Sequence, residues 1–342
     1  MAITHNEMLD TFSALRKTEA YLEEMWEGID SFLRGKSRFV FVGCGSSYSI
    51  AKSMAAICGM GAGKPAAAMA AGDVLLHAAR YRKAVDGAAV VFISRSGRTS
   101  ELLKALEALK SQGCRMSVAS VVCADDTPLG KESDFVLSTP WAFDESVCQT
   151  RCVTNFFFIA AYVAAKITGD RAAMEDLQYL LAAGGECIRQ AELLAMELSG
   201  QPWTHAVVLA DAELEGLAEE GSLVFKEVCQ LPSNYYHLLD VRHGPMVLIG
   251  KETLVLAALG TSGELELDLL RDLIKKGAQV VAYSNSLVQF EGAIIIGTER
   301  PLAHIAKGIP FIILCQMVAY YKSKETGADP DKPVGLDPWI SL

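Results

Sequence analysis

Apolar runs of strand length alternate along the chain with stretches of helical period. RFVFVG (38–43), AVVFIS (89–94) and MSVASVV (116–122) read as strands, and residues 47–59 and 99–112 between them read as helices, with Leu102, Leu103, Leu106 and Leu109 on one stripe. After a helical stretch at 171–198 the pattern returns: HAVVLA, TLVLAAL and AQVVAYS as strands, with helices at 213–229 and 264–276. This alternation predicts an α/β fold with largely parallel sheets. The two series correspond. FVFVGCGSSYSIAK matches AVVLADAELEGLAE in position, and ISRSGRTSELLKALEALKSQG matches ALGTSGELELDLLRDLIKKG. Gly43 and Ser96 lie 53 residues apart, Ala210 and Ser262 52. An internal duplication is expected, with residues 1–170 (an N-terminal helix and the first domain) and 171–342 each building a small doubly wound domain.

With 342 residues and 51% hydrophobic content, the chain can bury two cores of ordinary size. A net charge of −10 and a pI near 5.2, with no basic block, argue against nucleic acid or an anionic membrane surface as partner. The expected partner is a small molecule or a second copy. Nine cysteines are scattered through apolar runs without a CxxC pair, as reduced core thiols are. The N-terminus MAITHNEMLD lacks the regions of a signal peptide, and the longest uncharged apolar run, FFFIAAYVAA, falls short of a membrane span. A cytoplasmic protein is expected.

The candidate chemistry lies where strands meet helices in the first half. Gly43, Cys44, Gly45, Ser46 and Ser47 follow the first strand; Ser94, Arg95, Ser96, Gly97, Arg98 and Thr99 follow the next. The second half has Leu209, Ala210, Asp211, Ala212 and Leu259, Gly260, Thr261, Ser262, Gly263 instead. A strand end that opens a helix presents unpaired amides and the positive end of the helix dipole, which favours an anion, and hydroxyls add hydrogen bonds without bulk. Two such turns in one half predict a phosphate cradle; the alternative is that Ser96 or Thr99 only caps a helix. The GxG of Gly43 and Gly45 has no third glycine at the usual place, so no dinucleotide is expected, and there is no GxxxxGK[ST] loop. No cofactor is expected. His5, His77, His205 and His304 lack partners at ligand spacing, His237 reads as packed or hydrogen-bonded in a tyrosine-rich strand, and no metal is expected. Ser96 sits in no GxSxG elbow, which argues against a serine hydrolase.

GCGSSY followed by SRSGRT resembles the paired serine loops of the sugar isomerase (SIS) domain family, and the resemblance covers most of the chain in a double-SIS layout. It implies two tandem SIS domains, each a doubly wound, mainly parallel sheet flanked by helices, and a phosphorylated sugar as ligand. It puts Ser46, Ser47, Ser94, Arg95, Ser96 and Thr99 on sugar-phosphate positions. ESVCQTRCVTN (145–155) is similar to the family's link into its next helix, with Val147 and Thr150 on matching places. FKEVCQLPSNYYHLLDVRHGPMVLI carries a glutamate, Glu227, and the histidine of an HGP turn, His243. By the resemblance Glu227 moves the carbon-bound proton and His243 opens the sugar ring, often from the neighbouring subunit, so a homodimer with shared sites is implied. The pairing suits the chemistry, because shifting a carbonyl between C1 and C2 needs a base and a second group for the hydroxyl protons.

The resemblance covers no amidotransferase segment, so ammonia derived from glutamine is not expected. Aminosugar-forming relatives end in a tail like PRNLAKSVT, whose lysine reaches the sugar. Here the tail is DPDKPVGLDPWISL: Asp331, Pro333 and Leu336 match, Pro338 stands where the lysine would be, and Lys332 is a displaced substitute. Three readings follow: an aldose-ketose isomerase acting on a hexose or amino-sugar 6-phosphate, with or without deamination; a deglycase splitting a phosphorylated fructosamine-type adduct; or a non-catalytic sugar-phosphate binder.

Overall fold

The computed structural model describes residues 2–286 and 289–337. They divide into two compact units, one of residues 10–174 with 337 and one of residues 2–9 with 175–336. Helix α1 (Ile3–Leu9) therefore belongs to the second unit.

In the first unit α2 (Thr11–Glu24) and α3 (Trp26–Leu33) lead into β1 (Phe39–Gly43), α4 (Ser46–Met60), β2 (Ala66–Ala70), α5 (Ala71–Leu76), α6 (Ala78–Val85), β3 (Ala89–Ser94), α7 (Ser100–Ser111), β4 (Ser117–Val122), α8 (Pro128–Lys131), β5 (Phe135–Ser138) and α9 (Arg151–Thr168). The five strands form one sheet in the order β2-β1-β3-β4-β5, every pairing parallel. Val40, Val42, Val90, Phe92, Val118 and Val122 bury one face with Leu102, Leu106 and Leu109 of α7. The alternate residues Phe39, Phe41, Val91 and Val121 are buried on the other face. Covering both faces is what makes these strands read as unbroken apolar runs.

Helix α10 (Arg171–Ser199) leads into the second unit: β6 (His205–Leu209), α11 (Glu215–Val228), β7 (Ser233–Tyr236), β8 (Thr253–Ala258), α12 (Glu264–Lys275), β9 (Gln279–Tyr283), β10 (Ala293–Ile296) and α13 (His304–Thr326). The sheet order β10-β9-β8-β6-β7 repeats that of the first unit, again wholly parallel. Val207, Leu209, Val255, Ala257, Val280 and Ala282 pack with Leu269, Leu270 and Leu273 of α12, the counterpart of the α7 face. The duplication expected from sequence is thus a duplication of topology.

The apolar run FFFIAAYVAA lies within α9 and is not the most span-like segment among the described residues. That is α13, whose 23 residues are long and apolar enough to cross a membrane by length and composition, a feature the sequence pattern had not marked. Its apolar stretch is 83% buried within the protein, as in a core helix. All nine cysteines are free, and six are buried.

Candidate active site

Strands β1 and β3 are hydrogen-bonded neighbours, and the chain leaves β1 for β2 on one side before returning to β3 on the other. Such a reversal opens a crevice at the carboxyl ends of the strands, where α/β sheets bind ligands. The register runs from Phe39 against Ala89 to Val42 against Phe92, so the two hydroxyl-bearing turns leave the sheet side by side. In the first turn, a Cβ on Gly43 would lie 2.4 Å from the Ser47 carbonyl carbon, so only glycine lets α4 begin this close to the strand. Ser46 and Ser47 are the first residues of α4, and both are buried.

In the second turn the Ser94 hydroxyl lies 3.1 Å from that of Thr99 and accepts the Gly97 amide at 3.0 Å. Ser96 Oγ accepts the Arg98 amide at 3.2 Å. Thr99 is the residue before α7, yet its side chain makes no capping hydrogen bond. Simple helix capping therefore does not account for Thr99 or Ser96, which are both half-buried and open to solvent. Gly97 has φ +61°, and a Cβ there would sit 2.5 Å from Cβ of Thr127.

Arg95 does not extend into the crevice as an exposed cation. It is 6% exposed and donates to the carbonyls of Ser146 at 2.7 Å and Val147 at 3.2 Å, with its guanidinium over Phe143. It thereby ties the segment before α9 to the second turn. Val147 is half-buried and Thr150, wholly buried, is the residue preceding α9. Beneath them Asp144 accepts the amides of Thr150 at 2.8 Å and Cys152 at 3.0 Å, the role of a carboxylate at a helix amino terminus. Burial raises the Asp144 pKa, and those helix amides and Arg151 oppose the rise. Cys44, in the first turn, is no thiolate: burial pushes it up to about 12, with the Glu101 carboxylate adding to the effect.

The matching turn of the second unit is already filled. The Glu266 carboxylate accepts the amides of Gly260 at 2.6 Å, Thr261 at 3.0 Å and Gly263 at 3.2 Å. Lys307 of α13, 1% exposed, donates to the carbonyls of Leu259 at 2.6 Å and Gly260 at 2.7 Å. Neither residue stood out in the sequence, although a glutamate three residues after Gly263 is where a carboxylate meets the first amides of a helix.

Glu227, half-buried, is the last residue but one of α11. Its neighbour Lys226 folds back to Ser222 Oγ at 2.7 Å, and burial lowers the Lys226 pKa. The chain turns away at Gln230, with φ +53°. Gln230 donates to the Val334 carbonyl at 3.0 Å, and Thr326 Oγ1 donates to that of Cys229 at 3.2 Å, so the C-terminal segment is fastened near the end of α11. Lys332 in that segment is exposed; Pro338 lies outside the described residues. His243 is exposed after a 3-10 turn (Asp240–Arg242) that Arg242 fixes to Asp272 at 2.7 and 2.9 Å. The next turn leaves Val247 78% and Leu248 67% exposed. His237 is hydrogen-bonded to Asp211 at 3.0 Å. Among the described residues no three His, Cys, Asp or Glu side chains are grouped to hold a metal ion.

Comparison with known proteins agrees with this geometry. Residues 32–164, which contain both hydroxyl turns, match the SIS domain family. The chain is similar to glutamine–fructose-6-phosphate aminotransferase (isomerizing) of Methanothermobacter thermautotrophicus, 24% identical over 96% of this chain and 56% of that protein. It is likewise similar to that of Legionella pneumophila (strain Paris), 28% identical over 75% and 44%. The chain thus spans about half the length of these curated relatives. Among solved structures, a glucosamine-6-phosphate deaminase from Thermotoga maritima superposes with a TM-score of 0.79 at 25% identity, covering 100% of both chains. Tagatose-6-phosphate ketose/aldose isomerase from Escherichia coli shares the fold with a TM-score of 0.82 at 22% identity, covering 99% of this chain and 97% of that one. A SIS domain match over residues 32–164, and the same sheet order in the second unit, fit a tandem SIS arrangement, similar in fold to phosphosugar isomerases and deaminases.

Proposed function

We propose that the protein is a phosphosugar aldose-ketose isomerase acting on a hexose or amino-sugar 6-phosphate through an enediol-type intermediate. The observation that carries this reading is the pair of hydroxyl-bearing turns lying side by side at the β1/β3 reversal. In it Ser46, Ser47, Ser96 and Thr99 receive the phosphate at helix amino termini, with Ser94 holding Thr99 in place. Arg95 and Val147 act by fixing the segment before α9, as their hydrogen bond supports. Glu227 is the base that moves the proton between sugar carbons, and His243 handles the hydroxyl protons of ring opening. Exposure of His243 beside Val247 and Leu248 supports a homodimer in which His243 serves the partner's site, because an exposed apolar patch marks an interaction surface.

The similarity to a deaminase of equal length supports deamination as the second reading, in which loss of the amine accompanies isomerisation. The deciding experiment offers hexose, hexosamine and fructosamine 6-phosphates to the protein in deuterated water and follows them by NMR. Deuterium at the sugar carbon with a ketose or aldose product supports the isomerase. Release of ammonia identifies a deaminase, release of a larger amine a deglycase, and tight binding without exchange in any substrate a sugar-phosphate binder.

A further inference from the structure

The first unit also holds an open cavity of about 630 Å³, within the range of small-molecule sites. Its floor is apolar, formed by Ile29, Phe39, Met54, Phe135, Ala160 and Ala164 from α3, α4, α9 and the sheet. The lining runs along one face of the sheet, from Phe39 and Phe135 at strand starts to Val121 near the end of β4, and includes none of the hydroxyl-turn residues 43–47 and 94–99. It is therefore a different place from the proposed sugar-phosphate site. An open apolar hollow of this size is of the kind that takes small ligands.

The charged residues of its lining indicate which occupant. They are Arg34, Lys36, Lys64 and Asp30, three cations against one acid. Asp30 is taken by Arg34, and Lys36 donates to Ser117 Oγ at 2.6 Å. Lys64 is exposed; its backbone bonds to Cys58, while its ammonium makes no hydrogen bond or ion pair among the described residues. We propose that this cavity binds an apolar chain with a single anionic head, a fatty carboxylate, its tail on the floor and its carboxylate facing Lys64. Tail burial supplies most of the affinity, and the exposed lysine selects the head. The proposal is independent of the reaction the protein performs.

Isothermal titration with dodecanoate tests it, with dodecanol as the uncharged control. One equivalent of dodecanoate should bind. Ala160→Trp, which fills the floor, should weaken binding by roughly tenfold or more. Lys64→Glu should weaken dodecanoate by roughly threefold and leave dodecanol unchanged. If Ala160→Trp does not fold, the wild type suffices: Cys58 lines the cavity, so dodecanoate should slow its alkylation by N-ethylmaleimide, read by peptide mapping. No binding by the wild type, unchanged binding in folded Ala160→Trp, equal affinity for dodecanol, or unprotected Cys58 overturns the proposal. Absence of binding together with dimer loss in Ala160→Trp would assign the face to a second copy instead.

Discussion

The Ser94 hydroxyl oxygen stands 3.1 Å from that of Thr99, and this contact holds the turn between β3 and α7 without using the amides at the start of the helix. Ser96 in the same turn is half-buried, and in the proposed function its hydroxyl donates to the phosphate. Ser96→Ala should cost about 1–3 kcal/mol of sugar-phosphate affinity with little change in folding. Calorimetry with phosphorylated and unphosphorylated sugar checks this; equal affinity of the wild type for both removes the cradle.

Gly97 is fixed by two constraints, its positive φ and the nearness of Thr127. Gly97→Ala should destabilise the first unit by about 1–3 kcal/mol, because the turn must shift backbone to admit a methyl group. Thermal unfolding measures the loss. A melting temperature equal to that of the wild type would mean that the turn is plastic.

Glu227→Gln keeps the shape of the side chain and removes its capacity to take a proton. Turnover should fall by roughly 100-fold or more while ligand affinity stays nearly unchanged. Near-normal turnover, with solvent deuterium still entering the sugar carbon, would assign the base elsewhere.

If His243 serves the neighbouring protomer, inactive Glu227→Gln and His243→Ala proteins should regain part of the activity when their subunits exchange. Exchange is followed by native mass spectrometry. Proven exchange without recovery would put both residues to work on the same chain.

Asp331 accepts the amides of Ile3 at 2.9 Å and Thr4 at 2.8 Å, and so fastens α1 to the end of the chain. Burial alone would raise its pKa, but these amides and the Thr4 hydroxyl bring it below the ordinary 3.8. A depressed carboxylate stabilises the fold fully above its unfolded pKa, and that contribution is lost as pH falls through the lower folded value. Amide exchange in residues 3–9 should therefore accelerate as pH drops below about 4, beyond the intrinsic pH trend. Asp331→Asn should show fast exchange there already at neutral pH; protection equal to the wild type would show that α1 is held by other contacts.

The strands legible in the sequence are those inside the sheets. β1, β3, β4, β6, β8 and β9 are covered on both faces, and their apolar runs match their observed spans to within a residue or two. β2, β5, β7 and β10 are the outermost strands of the two sheets. They are short and largely half-buried, so β7 registered only as tyrosines near His237, and the apolar stretches AAAMA, FVLS and AIII were too brief to stand out as strands. The hydroxyl turns were legible because their chemistry is local. The tie between Arg95 and the carbonyls of Ser146 and Val147 was not, because it joins residues 51 and 52 positions apart that only the folded sheet brings together. Asp144 escaped notice for a related reason: nothing in the sequence separates a wholly buried acid serving a helix terminus from a solvated one.

The carboxylate of Glu266 gives the second unit a built-in competitor. An external anion entering that turn must displace an acceptor that is tethered a few residues away and so acts at a high effective concentration. A chain that carries its fold twice need not offer its ligand two berths, and a titration with sugar phosphate should reach its end point at one equivalent per chain.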